Sequence, residues 1–363
     1  MRINKREFDG PRMARPGEAA EILRLIDRIF ADGLPVGMKA EYPHLYGDME
    51  RNPEWCHIVT HRGRIIAHTG IYPLEFVACG HRVMVGGIGA VATDDKYRGQ
   101  GLMSDLLDYS TKWMRTHGMP VSILWGDHIR YARFGWAGCG RQIRFGLNER
   151  SAAEPLAKFR HKVAEIRDIG PVARALHDLQ RALPLRVERT DREFPLVLKK
   201  IGSRVFVARR GGRIVAYAQI RGGRRRGKGR SDWHVEQMAG DGEGILSILG
   251  WMVRRNDVDW VRGSLPVVHA GYLRALVRAS DCWSTGVELL GQVKVVDLDA
   301  ALHALGAGDL ASAVRGLKLA DADQARLLFG PLSPNELVCS GPVRKKLASR
   351  LPLPFHLWPA DHV

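Results

Sequence analysis

The chain has 363 residues, 45% of them hydrophobic, and a formal net charge of +16. That length and apolar content can bury substantial cores and are expected to give two or three domains. No apolar run approaches the roughly 20 residues needed to span a bilayer, and Met1 to Gly10 is charged with no apolar core, so neither a membrane span nor a signal peptide is expected. Cys56, Cys79, Cys139, Cys282 and Cys339 are scattered, odd in number and never in a C-x-x-C pair, which argues against a disulfide framework or a zinc site. The expectation is a cytoplasmic enzyme without metal.

In chain order, Ala14 to Phe30 carries a helical apolar pattern through Ile22, Leu23, Leu25, Ile26 and Ile29. Residues 56–60 and 64–69 flank His61-Arg62-Gly63, a hairpin signal, and a second pair, 74–77 and 83–93, flanks Gly80. After Gly101 a helix is predicted through Leu102, Leu106, Leu107, Tyr109 and Trp113, ending near Gly118 with Pro120 beyond. Val121 to Trp125 reads as a short buried strand. Residues 204–209 and 213–218 flank Arg210-Gly211-Gly212 and repeat the hairpin at Gly63. Ile245 to Val253 then reads as helix and Trp260 to Gly263 as strand. Further helical patterns lie at Ala300–Leu305 and Val343–Leu347, and the chain ends in a proline-stiffened apolar tail from Leu351 to Trp358, expected to be packed rather than frayed.

The densest basic run, Arg221 to Arg230, lies between the strand-like runs 214–220 and 233–238. It reads as a solvated hairpin loop or as a phosphate-contact patch. No aromatic residues interleave with its arginines, so a stacking platform for single strands is not suggested.

The most informative stretch is Ile88 to Met103, IGAVATDDKYRGQGLM. A strand-like run ends in a polar turn, and a glycine-punctuated basic loop opens a helix. Free backbone N–H groups at a helix N-terminus beside a fixed positive charge suit a phosphate or pyrophosphate. Gly87, Gly89 and Ala92 satisfy G-x-G-x-x-A, but a dinucleotide fingerprint needs its glycines in the turn, and here they lie upstream inside the apolar run. Arg98-Gly99-Gln100-Gly101 instead matches R-x-x-G-x-G/A. A strand–turn–helix without a ligand is the remaining reading of the segment.

Together with Tyr131-Ala132-Arg133-Phe134-Gly135-Trp136, which resembles a Y-x-x-F-G-(aromatic) block at the expected distance, this stretch resembles the coenzyme A motif of the GCN5-related N-acetyltransferase (GNAT) superfamily. The resemblance is nearest to the multi-domain branch that includes the enhanced-intracellular-survival aminoglycoside acetyltransferases. It is strong over roughly residues 13–147 and weaker to about 297. Met103 departs from the motif, which usually has Gly or Ala there, so the fit around the pyrophosphate is expected to differ.

The resemblance implies an α+β fold with a mixed, mostly antiparallel sheet, in which the strands flanking the phosphate helix splay apart around the pantetheine arm. It implies three segments: a catalytic GNAT domain at 1–150, a degenerate GNAT-like domain at 151–297, and a C-terminal helical segment with a docking tail at 298–363. The second is read as structural or substrate-shaping, because the acidic Gly240-Asp241-Gly242-Glu243-Gly244 stands where a basic loop would be. The third is shorter than the sterol-carrier-like domain that ends the enzymes of that branch.

The implied co-substrate is acetyl-coenzyme A, held by Val91, Ala92, Thr93, Arg98, Gly99, Gln100, Gly101, Leu102, Met103 and Ser104. Tyr131 would protonate the departing thiolate, and a backbone N–H around Ala92 or Thr93 would stabilise the oxyanion. The base is open between Asp127, His128, Glu75, a water chain and the terminal carboxylate of Val363, which serves as base in the enhanced-intracellular-survival branch. The implied reaction is direct attack of a primary amine, on a small molecule or peptide, on the thioester. The alternative is a non-catalytic acyl-coenzyme A sensor or nucleic-acid-associated binding protein on the same fold. No membrane partner is expected, nucleic acid is not the expected partner, and homo-oligomerisation is left open.

Overall fold

A computed structural model describes residues 7–33, 36–222, 231–267, 276, 277, 279, 286–337 and 341–363. The basic run beyond Gly222, and Cys282 and Cys339, lie outside them. Strand β1 (Phe8–Met13) pairs with β2 (Cys56–His61) at the edge of the first sheet. The Ala14 N–H donates to Cys56 O at 2.7 Å and keeps the chain beside β2, and Gly17 at φ +89° then turns it. Helix α1 (Ala19–Phe30) therefore starts five residues later than its apolar pattern suggests. The short helices α2 (Met38–Glu41) and α3 (Pro43–Tyr46) follow.

Strands β2, β3 (Arg64–Ala78) and β4 (His81–Thr93) form a meander. Its two turns each place two residues at positive φ, Arg62-Gly63 and Cys79-Gly80. That turn geometry follows the strand twist, and glycine adopts it without strain. Helix α4 (Leu102–Thr116) leads to β5 (Val121–Leu124), which pairs parallel with β4. Then come α5 (His128–Ala132), β6 (Ala137–Cys139), β7 (Gln142–Leu147), α6 (Glu149–Leu156) and β8 (Lys162–Ile166). The second half continues with α7 (Ala173–Arg181), β9 (Leu185–Val187), α8 (Glu193–Leu198), β10 (Ser203–Arg210), β11 (Arg213–Gly222), β12 (Ser231–Gly240), α9 (Gly242–Val253) and β13 (Val258–Pro266). Strands β14 (Gly286–Glu288) and β15 (Gly291–Val295) close it.

The chain is α+β with two mixed, mostly antiparallel sheets. The first has eight strands in the order β1-β2-β3-β4-β5-β15-β6, with β9 on β3; the second has seven in the order β14-β7-β13-β12-β11-β10-β8. The second repeats the plan of the first: a hairpin at Gly211-Gly212, then β12, a helix, and β13 parallel to β12. The halves exchange strands. β7 leaves the first half to pair with β13, and β15 leaves the second to fill the matching place between β5 and β6. The changes of sheet fall at residues 139–142 and 288–291.

Helices between 298 and 348 cover one face of the first sheet, packing Leu302, Leu328 and Leu347 with Leu74, Phe76 and Val85. The tail from Leu351 joins both halves. Phe355 and Leu357 enter the core of the first sheet, whereas Trp358 and Ala360 enter that of the second. No helix among the described residues is long and apolar enough to cross a membrane.

Trp358 is buried to 2% exposure. Truncation leaves a cavity in the core of the second sheet, so Trp358→Ala is expected to cost about 3–5 kcal/mol in urea unfolding. A loss under about 1 kcal/mol would show that the tail is not part of the core.

Candidate active site

The site begins with a gap. Pairing of β4 with β5 ends at Gly87 and Ile123, yet β4 continues to Thr93, so its backbone beyond Gly87 has no strand partner on the β5 side. A bulge falls in that free stretch: the register steps from Gly70↔Gly89 to His68↔Ala92, and Ala90 takes φ +46°. The bulge is pinned from behind. Nδ1 of the fully buried His68 lies 2.9 Å from Ala90 O, which requires Nδ1–H as donor. Burial pushes this imidazole down to about 4, so the ring is neutral. His57, also buried, is bonded to Ser110 Oγ at 2.7 Å and is pushed down to about 3 by burial and by His68.

One cavity, of about 540 Å³, opens at the N-terminus of α4. The N-cap Gly101 has φ +82° and no side chain caps the helix, which leaves its first N–H groups facing outward. Val91, Thr93, Arg98, Gly99, Gly101, Leu102, Met103 and Ser104 line this cavity, eight of the ten residues the sequence points to. Ala92 is buried in the strand and Gln100 is not part of the lining. Arg130, from α5, and Arg133, the residue that follows this helix, complete the wall. They flank Tyr131; two arginines three apart, within and just after a short helix beside a phosphate-type loop, are the signal for them. The cavity is thus a helix N-terminus with three arginines in its lining, of which Arg98 is ion-paired with Asp95 at 2.7 Å, and this suits a polyanion.

A second cavity, of about 320 Å³, shares Phe30, Val91 and Arg130 with the first. Tyr131 and Val363 both line it. Asp127 caps α5 by accepting from Ile129 N at 3.0 Å and Arg130 N at 3.4 Å, and so sets Tyr131 one turn later. Gly126 leaves room for the ring: a Cβ there would stand 2.7 Å from Tyr131 Cε2. Burial raises the Tyr131 phenol above its usual value, so it keeps its proton at neutral pH. Asp127 lines the cavity as well, whereas His128 and Glu75 line neither, and Glu75 is ion-paired with Arg82 at 2.5 Å.

Val363 is seated by glycines. A Cβ on Gly87 would lie 2.7 Å from Val363 Cγ2, and one on Gly89 would lie 2.7 Å from the Val363 carboxyl carbon. The two positions share a face of β4, so the missing side chains form a trench that the chain terminus fills. These are the glycines of the G-x-G-x-x-A match; they lie in mid-strand and clear space for protein, not for a dinucleotide. The terminus is also clamped. Arg189 forms a buried ion pair with Asp361, whose other oxygen accepts the Trp358 N–H at 2.9 Å. Lys200 Nζ reaches Pro359 O at 3.5 Å, and His362 stacks on Trp125 at 3.9 Å. Arg189 and Lys200 come from the second half of the chain, flanking α8.

The matching helix terminus of the second sheet is closed. Asp241 caps α9 with its own carboxylate, accepting from Gly244 N at 3.2 Å. His161, Asp241 and Glu243 bring ligand-type atoms within 4.8 Å of one another. Arg210 sits among them, 3.0 Å from Asp241, 3.7 Å from Glu243 and 3.1 Å from His161 Nε2, so its guanidinium takes the place of a cation.

Residues 11–139 match the family described as acetyltransferase (GNAT) domain. No curated protein sequence matches the chain. Among solved structures, a GCN5-related N-acetyltransferase from Kribbella flavida superposes with a TM-score of 0.60 at 18% identity, over 83% of this chain and 75% of that one. One from Anabaena variabilis gives 0.58 at 15% identity, over 82% and 75%. Eis1 from Mycobacterium abscessus gives 0.56 at 16% identity, over 81% and 75%. At these identities the likeness is one of fold.

The buried His57 and His68 make stability depend on pH in a defined direction. Both fold neutral, with folded values of about 3 and about 4 against 6.5 for the free side chain. The unfolded chain therefore binds more protons below pH 6.5, and stability is lost as pH falls from 6.5 towards 4. Each ring is expected to contribute about 2 kcal/mol of the loss between pH 7 and pH 5. His68→Gln, followed by urea unfolding at both pH values, should shrink that loss by about this amount; an unchanged difference would mean that His68 is protonated in the folded protein.

Proposed function

With residues 11–139 identified as a GNAT acetyltransferase domain, we propose that the chain is an acetyl-coenzyme A-dependent N-acetyltransferase whose acceptor is a primary amine on a small molecule or peptide. The observation that carries this reading is the joining of two cavities through Val91 and Arg130, one built for a polyanion and the other holding an acid, Tyr131, and a carboxylate, Val363. In this reading the first half is catalytic, the second half positions the tail, and the helical segment beyond 297 carries that tail to the site.

Arg98, Arg130 and Arg133 hold the pyrophosphate end with the N–H groups of Leu102, Met103 and Ser104, and Val91, Ala92 and Thr93 flank the arm in the β4–β5 gap. Met103 stands in the lining of this cavity in place of a small residue. The thioester supplies the acetyl group. The Val363 carboxylate takes a proton from the acceptor ammonium, so that the amine can attack. A backbone N–H of the bulged stretch, around Ala92 or Thr93, receives the developing oxyanion. As the C–N bond forms and the C–S bond breaks, the Tyr131 hydroxyl gives its proton to sulfur and regains one from the nitrogen. The products are an amide and a free thiol, with one proton released through the carboxylate.

Two substitutions test separate parts of this account. Arg98→Glu places a carboxylate at the helix N-terminus and is expected to abolish calorimetrically detectable binding of acetyl-coenzyme A; unchanged affinity would move the cofactor elsewhere. Tyr131→Phe removes only a hydroxyl, so binding should persist while amine-dependent thiol release falls by about 10²–10⁴-fold, the range usual for a lost general acid. Turnover within about twofold of wild type would make Tyr131 a packing residue.

A further inference from the structure

The wall of the second cavity opposite the β4–β5 gap is aromatic and apolar. Phe30, Met38, Tyr42 and Tyr46 form it, from α1 to α3. The negative groups lining the cavity, Asp127 and the Val363 carboxylate, lie on the side of Tyr131. Behind the wall the carboxylates are already matched. Glu41 is ion-paired with Arg221, and Glu236 lies 3.9 Å from the same guanidinium. Lys200 sits 5.0 Å from the Tyr42 ring centroid with 3% exposure, so a buried cation backs the aromatic face. At the mouth stands a third cation, Arg130.

An acceptor entering here meets carboxylates at one end and nothing to neutralise a second positive charge at the other. A second ammonium pressed against Tyr42 would leave water with no carboxylate of the lining to receive it: Glu41 and Glu236 behind the wall are engaged with Arg221, and Lys200 already sits over the Tyr42 ring. An apolar or aromatic body loses nothing by burial in the same place and gains from ring contacts.

We infer that the acceptor is a monoamine, a single ammonium on an apolar or aromatic body, and not a polyamine or an aminoglycoside. This rests on the acetyltransferase reading above. The ammonium end lies towards Val363 and Tyr131, and the body lies on Phe30, Met38, Tyr42 and Tyr46. Tyr42 sets the specificity, because it separates the acceptor from the buried Lys200.

The test uses the full chain with three amines: 2-phenylethylamine, spermidine and kanamycin. With acetyl-coenzyme A present, thiol release should give 2-phenylethylamine a kcat/KM at least about tenfold above either polycation, a difference of one factor of ten in transition-state binding. Tyr42→Glu places a carboxylate on the wall beside Lys200 and should raise the spermidine to 2-phenylethylamine ratio. Equal or better turnover of spermidine or kanamycin by the wild-type chain overturns the proposal, as does a folded Tyr42→Glu protein with an unchanged ratio. A calorimetric titration of the coenzyme A-loaded protein separates this failure from failure of the acetyltransferase reading. If no amine releases thiol, tighter binding of 2-phenylethylamine still supports the monoamine site, and tighter binding of a polycation refutes it.

Discussion

A stretch of β4 without side chains at Gly86, Gly87 and Gly89 governs the geometry of the whole site. Glycines weaken a strand unless something else fills the space they leave. Here both faces are filled from afar. A Cβ on Gly86 would collide with the Met114 sulfur from α4, while the face of Gly87 and Gly89 receives Val363. The interior stays close-packed, as it must, but part of the packing on β4 is contributed by the end of the chain. The same strand then loses its partner beyond Gly87 and bulges at Ala90, held by His68. The trench, the open backbone edge and the bulge lie within seven residues, between Gly87 and Thr93, and every group assigned to the chemistry borders them.

That arrangement gives the second half of the chain a purpose although its own helix terminus is closed by Asp241. It supplies β15 to the first sheet, next to β5, where Gln292 Nε2 donates to Gly126 O at 2.7 Å and supports the loop before Tyr131. It also supplies Arg189 to Asp361. A buried ion pair offsets its own desolvation only in part unless both charges are well bonded; Asp361 is bonded to Arg189 and the Trp358 N–H, while the buried Arg189 Nε has no hydrogen-bond partner among the described residues. The strand exchange makes the two sheets one body, which is what lets a residue near position 189 hold a terminus in the cleft of the other half.

Much of this was legible in the residues, for local reasons. The Arg62-Gly63 and Gly211-Gly212 turns, the loop from Arg98 to Gly101, the uncapped start of α4 and the Tyr131 block each depend on a few adjacent side chains. What could not be read depends on distant partners. β7 and β15 are short, and no local pattern says that they trade sheets. β1 carries no strand signal, because FDGPRM is an edge segment with Gly-Pro inside it and little buried surface. Gly87 and Gly89 were noticed for a motif they do not serve; their role appears only when Val363, far along the chain, is in place. Arg130 and Arg133 carry no phosphate signal in the sequence alone, because only the fold brings them to the wall of the cavity at α4.

The central claim is that the terminal carboxylate of this chain acts in the first cleft. The most direct measurement is amine-dependent thiol release by a chain extended by two glycines past Val363. The extension keeps Phe355, Trp358 and Asp361, so the melting temperature and acetyl-coenzyme A affinity should stay near those of the parent chain. It moves the carboxylate out of the trench, and kcat/KM at neutral pH is predicted to fall by about 10²–10⁴-fold. An extended chain with the activity of the parent would contradict the account and leave the tail with a packing role alone.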